Sequence, residues 1–182
     1  MIYPIVAYGT PVLKKVAQNI EKGEDLSQLI ADMFETMDQA NGIGLAAPQI
    51  NKPIRLFIID TTNTDEDDSN KKVRKAFINA QIIEESGEEW AFEEGCLSIP
   101  DIHADVSRYE RIKMTYFDEN WEQQEEVFDG IMARVIQHEY DHIEGILFTD
   151  YVKGLKKKLM SKKLTNISKG KIKPRYKMKF PK

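Results

Sequence analysis

The stretch IMARVIQHEYDHIEG, residues 131–145, reads as a helix that Gly145 brings to an end. Within it, HEYDH (residues 138–142) sets two histidines at i and i+4, one turn apart on one helix face, so His138 and His142 can share a metal ion. Ile131 and Val135 continue the same stripe, which turns the imidazoles toward the interior and away from water. Glu139 is offset by one residue, close enough to act as general base on a water at the metal. The bland alternative is an exposed helix with two satisfied histidines. Against it, the 182 residues contain only 3 histidines, and two of them fall at this spacing.

Working outward, residues 25–41 (DLSQLIADMFETMDQAN) read as an amphipathic helix with Leu26, Leu29, Ile30, Met33 and Met37 on one face. Asp25 is the expected N-cap and Gly42 the expected stop. Residues 54–60 (IRLFIID) predict a buried strand, and 61–72 (TTNTDEDDSNKK) a flexible loop with almost nothing to bury. Further strands are predicted at 76–84, 104–109, 111–117 and 122–128, the last two joined by a hairpin turn at Asp118-Glu119-Asn120. Residues 155–167 (LKKKLMSKKLTNI) predict a basic helix with Leu155, Leu159, Leu164 and Ile167 facing inward. The order implies an α+β fold. Antiparallel strands pack around the central helix that carries the HExxH motif, flanked by an N-terminal helix and a C-terminal basic helix.

Charge divides the chain. The net of −4 arises from 30 acidic side chains, all within residues 1–152, against 26 basic ones, of which 13 lie in residues 153–182. The expected organisation is therefore a catalytic domain over 1–152 and a basic extension over 153–182. That extension is either a solvated tail or an anchor for a polyanion such as RNA. No stretch approaches the length of a membrane-spanning helix. Met1 to Gln18 lacks the basic and apolar regions of a secretory signal, which makes the cytoplasm the expected location. A single cysteine, Cys96, excludes an intrachain disulfide and leaves a choice between buried filler, nucleophile and metal ligand.

Two histidines do not complete a metal site. Metzincin proteases extend the motif to H-E-x-x-H-x-x-G-x-x-H, and this chain follows that pattern through Gly145 but ends it on Phe148, which binds no metal. A thermolysin-like downstream glutamate is also missing, since no Glu follows Glu144. Cys96, in EEGCLSIP (residues 93–100), is the remaining good candidate. A thiolate with two imidazoles leaves a fourth position open to water, as in catalytic sites. A third motif is GIGLAAPQ, residues 42–49. Its glycines let backbone approach a ligand, Pro48 stiffens the turn, and Gln49 offers an amide to a developing oxyanion. Alone, this stretch reads as a helix end and a loop.

GIGLAAPQ, EGCLS and QHEYDH, in this order and spacing, resemble the three signature motifs of the bacterial-type, metal-dependent peptide deformylases. The similarity extends from about Tyr8 to about Asp150. The resemblance implies removal of the N-terminal formyl group from formyl-methionyl nascent polypeptides, with release of formate. It implies one divalent metal ion on Cys96, His138 and His142, natively Fe(II), with Zn, Ni or Co able to replace it. It also implies Glu139 as the base that deprotonates water, and Gln49 with the Leu97 backbone N–H as oxyanion donors. Backbone groups of Gly44 and Gly95 would pair with an extended substrate, and Ile43, Glu94, Arg134, Val135 and His138 would surround its methionine side chain. His103, expected in a loop after Cys96, reads as an ordinary surface histidine. Arg108 and Asp141 could orient the ligands, although surface ion pairs explain them almost as well.

Two other readings remain open on residues alone. A metalloprotease would cut internal or N-acetylated peptides, whereas a deformylase needs the small formyl group. A non-enzymatic RNA-associated protein with a structural metal would want four protein ligands, and three good ones are visible. The expected partners are nascent polypeptides and, through the basic tail, ribosomal RNA. No membrane partner is expected, and the expected state is a monomer.

Overall fold

The chain opens with a short strand, β1 (Ile5–Val6), then helix α1 (Ser27–Gln39) and strands β2 (Gly44–Ala46) and β3 (Leu56–Asp60). The computed structural model describes residues 1–62 and 72–181. β3 is buried along its whole length because both of its faces are covered. Leu56 and Ile58 pack with Met33 and Met37 of α1, while Phe57 and Ile59 share a second cluster with Ala133 and Ile136. Ala133 and Ile136 belong to α2 (Gly130–Ile143), which follows β4 (Arg74–Cys96), β5 (Ile99–Phe117) and β6 (Gln123–Asp129). The five strands form one antiparallel sheet in the order β2-β3-β4-β5-β6, and α2 lies against β5, β2 and β3.

α1 begins two residues after Asp25. That carboxylate accepts the Ser27 N–H at 3.0 Å, but Leu26 holds the cap position. The left-handed residue that ends the helix is Asn41 (φ 53°), not Gly42, whose N–H instead reaches back to the Met37 carbonyl at 3.0 Å. The predicted loop at 61–72 falls mostly outside the described residues.

The separate strands predicted at 76–84, 104–109 and 111–117 are in fact two long ones. β4 runs for 23 residues and β5 for 19. The glutamate-rich half of β4 has no apolar alternation to reveal it, and its pairing with β5, with four register shifts, sustains it instead. The predicted break near Arg108 does not exist. Arg108 points inward in phase with Ile102, Ala104 and Val106, and buried carboxylates neutralise it. His103 accordingly lies on a strand, not in a loop, and on the exposed face.

Beyond Val152 comes α3 (Gly154–Ser168), then β7 (Met178–Lys179), which pairs in parallel with β1. The buried face of α3 is Met160, Leu164 and Ile167, packed with Leu13, Val106 and Phe148. The expectation that Leu155 and Leu159 face inward is wrong, since they are 71% and 69% exposed. Leu164 and Ile167 do face inward as expected, and Met160, outside the expected stripe, joins them. Among the described residues, then, the basic segment shares a core with the rest of the chain. Among the described residues no helix is long and apolar enough to cross a membrane.

Candidate active site

Cys96 ends β4 and pairs with Ile99 across a two-residue turn, Leu97-Ser98. α2 passes beneath this turn and presents His138 and His142 to it. One ligand atom from each of Cys96, His138 and His142 falls within 4.8 Å of the others, with Cys96 Sγ 3.3 Å from His142 Nε2. A thiolate with two imidazoles is a mixed soft and borderline donor set that suits Fe(II), Zn, Ni or Co. Burial pushes the His142 pKa well below 6.5, so the ring is a neutral imidazole ready to ligate. Its Nδ1 has no hydrogen-bond partner among the described residues.

His138 is oriented from behind. Its Nδ1 lies 2.9 Å from Glu94 Oε2, which leaves Nε2 for the site. Burial opposes a charge on His138, but hydrogen bonds to Cys96 and Glu94 outweigh it and raise its pKa to about 10. A divalent ion held by Nε2 would take the place of that nitrogen's proton. Glu94 has the opposite balance. Burial would raise its pKa, but His138 and Arg108 together draw it down to about 2. Arg108 grips the Glu94 carboxylate with two nitrogens at 2.7 and 3.0 Å, and Arg134 adds a third contact at 2.8 Å. Arg108 also reaches Asp141 at 2.8 Å, and the Tyr151 hydroxyl donates to Asp141 at 3.0 Å. Arg108 and Asp141 are therefore buried parts of the site's support and not a surface ion pair.

A cavity of about 720 Å³ opens onto these groups. Glu139 lines it, with one carboxylate oxygen buried and unpartnered among the described residues. Burial raises the Glu139 pKa to about 7. Gln49 reaches the cavity from the short helical turn at 47–50. Its Oε1 accepts the Ala46 N–H at 2.8 Å, so its Nε2 is the end turned to the site, 3.5 Å from Cys96 Sγ and 3.3 Å from Ser98 Oγ. Gly44 stands where a Cβ would collide with the Glu139 carboxylate. A Cβ on Gly95 would come within 2.7 Å of the His103 ring.

The structure thus brings Ile43, Gly44, Gln49, Glu94, Gly95, Cys96, Leu97, Arg134, Val135, His138 and Glu139 to one cavity, with His142 fully buried behind it. His103 sits at the same rim. Sequence reasoning missed Pro174, Arg175 and Tyr176, which form part of the cavity wall. Nothing local marks them, since Tyr176 meets Leu97 across 79 residues of chain.

The polypeptide deformylase family model matches residues 2–158. The peptide deformylase of Cytophaga hutchinsonii is 59% identical over 182 residues, covering 100% of this chain and 98% of its own length. That of Christiangramia forsetii is 57% identical over 190 residues, covering 100% and 97%. Among solved structures, the peptide deformylase of Legionella pneumophila superposes with a TM-score of 0.81 at 36% identity, covering 94% of this chain and 98% of its own. That of Thermotoga maritima gives 0.75 at 39% identity, covering 85% and 99%.

Proposed function

This chain belongs to the polypeptide deformylase family, and on that premise we propose which of its residues carry the reaction. It is a hydrolase that removes the N-terminal formyl group from nascent polypeptides. The observation that carries the assignment is the convergence of Cys96, His138 and His142 within 4.8 Å, beside a Glu139 carboxylate oxygen without a hydrogen-bond partner among the described residues and the Gln49 amide.

Cys96, His138 and His142 hold the divalent metal, for which Fe(II) is our choice, with Zn, Ni or Co able to occupy the same donors. When bound, the metal supplies Lewis-acid polarisation and lowers the pKa of water toward 7. Glu139 takes a proton from the attacking water, whose oxygen bonds to the formyl carbon. Charge then develops on the formyl oxygen, and the Gln49 Nε2–H and the Leu97 backbone N–H donate to it. The C–N bond breaks, and Glu139 returns the proton to the leaving amine. Formate and a polypeptide with a free N-terminal methionine result. Backbone groups of Gly44 and Gly95 bind the substrate in extended form, as an added strand. Ile43, Glu94, Arg134, Val135 and His138 enclose its methionine. All these groups come from one chain, so the reading needs no second copy.

The exposed face of α3, with its lysines and with Leu155 and Leu159, supports docking to ribosomal RNA, where nascent chains emerge. A cytoplasmic location goes with that docking. The decisive assay is formate release from formyl-methionyl peptides, with N-acetylated and internally formylated controls left intact. Cleavage of internal peptide bonds would instead favour a protease.

A further inference from the structure

Tyr176 lies in the C-terminal strap, outside all three signature motifs, yet its hydroxyl donates to the Leu97 carbonyl at 2.6 Å. The strap is tied down by its own backbone. Ile5 N–H donates to the Lys177 carbonyl and Ala7 N–H to the Lys179 carbonyl, both at 2.9 Å. The next carbonyl after Leu97, that of Ser98, accepts the Tyr8 N–H at 2.8 Å. Two consecutive carbonyls of the turn after Cys96 are thus held by two distant segments. The Leu97 side chain packs over Gly42, where a Cβ would come within 2.8 Å of its Cδ1. Burial raises the Tyr176 pKa above its usual value. The hydroxyl therefore stays a donor at any working pH.

Leu97 has two soft backbone torsions. The Leu97 N–H belongs to the Cys96–Leu97 peptide plane, whose tilt turns on Cys96 ψ and Leu97 φ. The strand pairing of Cys96 with Ile99 on one side and the Tyr176 hold on the Leu97 carbonyl on the other restrict that tilt. We propose that Tyr176 is a positioning residue for deformylation, aiming the Leu97 N–H at the developing oxyanion by holding the Leu97 carbonyl. The proposal rests on the assignment of that N–H as an oxyanion donor. It makes the basic C-terminal segment part of the active site, so cutting the chain after Val152 removes a catalytic support as well as charge.

Tyr176→Phe deletes the hydroxyl and keeps the ring packing. Loss of one oxyanion donor costs about 10²–10³-fold in kcat elsewhere, and a misaimed donor should cost about 10-fold or more. We expect that loss in kcat, with KM within about twofold and metal content unchanged. Amide hydrogen exchange over residues 96–98 should quicken. A purely structural role would lower the melting temperature and leave kcat alone below it. The exposed neighbour Lys177→Ala should behave as the parent. Parental kcat and unchanged exchange in Tyr176→Phe overturn the proposal. Should the Phe variant not fold, Tyr176→Trp misdirects the donor while keeping a ring, and full kcat there overturns it equally. Failure of the underlying assignment looks different, because exchange over 96–98 would then quicken with no change in kcat.

Discussion

The Glu94 carboxylate lies 2.9 Å from His138 Nδ1 and is held at the same time by the guanidinium groups of Arg108 and Arg134. One carboxylate on the Cys96 strand therefore orients His138 on α2, and two cations keep it ionised. Glu94→Gln should weaken metal binding about 10–100-fold. It should also destabilise the fold by about 3–5 kcal/mol, because Arg134 loses its ion-pair partner in the interior and Arg108 is left with Asp141. Metal titration and denaturant unfolding measure the two effects. Parental metal affinity in a folded variant would remove Glu94 from the site's support.

Glu139→Gln should keep its metal and lose about 10²–10⁴-fold in kcat, the usual contribution of a general base. Purified variant with full metal and near-normal turnover would show that another group moves the proton.

The pH profile follows from the same residue. Burial raises the Glu139 pKa to about 7, and only its ionised form can accept a proton. Activity should therefore rise with pH along the acid limb. A bound divalent cation favours the carboxylate, so the midpoint in the loaded enzyme should lie below 7. For stability the sign is reversed: a raised carboxyl pKa helps the metal-free fold at low pH, and this help fades as pH climbs from about 4.5 toward about 7. An acid limb of kcat/KM centred above 7 would contradict the assignment of Glu139 as base.

Gly44→Ala places a methyl group against the Glu139 carboxylate. Displacing a base from its working position can cost about 10²-fold, and kcat should fall on that order with the metal retained. Steady-state kinetics on the folded variant decide it, and parental kcat would mean that the carboxylate can move aside without loss.

Cys96 should react with iodoacetamide slowly in the loaded enzyme and faster after chelation, because a metal-bound thiolate is shielded. Equal alkylation rates for the two forms would argue against a ligand role.

The sequence by itself determined the chemistry of the centre and the family. The i, i+4 spacing of His138 and His142 is a property of any α-helix, and the offset of Glu139 follows from the same 100° step. The two buried faces of β3 were also legible, as a continuous apolar run. What only the tertiary structure decided depends on approach between distant segments. Arg108 looked like a surface charge because its neutralising partners, Glu94 and Asp141, lie 14 and 33 residues away. The glutamate-rich half of β4 carried no apolar alternation, because cross-strand hydrogen bonds and not burial hold it to β5. Leu155 and Leu159 satisfied the same helical pattern as Leu164 and Ile167, and only contact with Val106 and Phe148 showed that the first two stay exposed while Met160 is buried. Tyr176 is the limiting case. Its hydrogen bond to Leu97 uses a hydroxyl and a backbone carbonyl, groups found all along the chain, so nothing in the local sequence marks it until folding brings the strap across the turn.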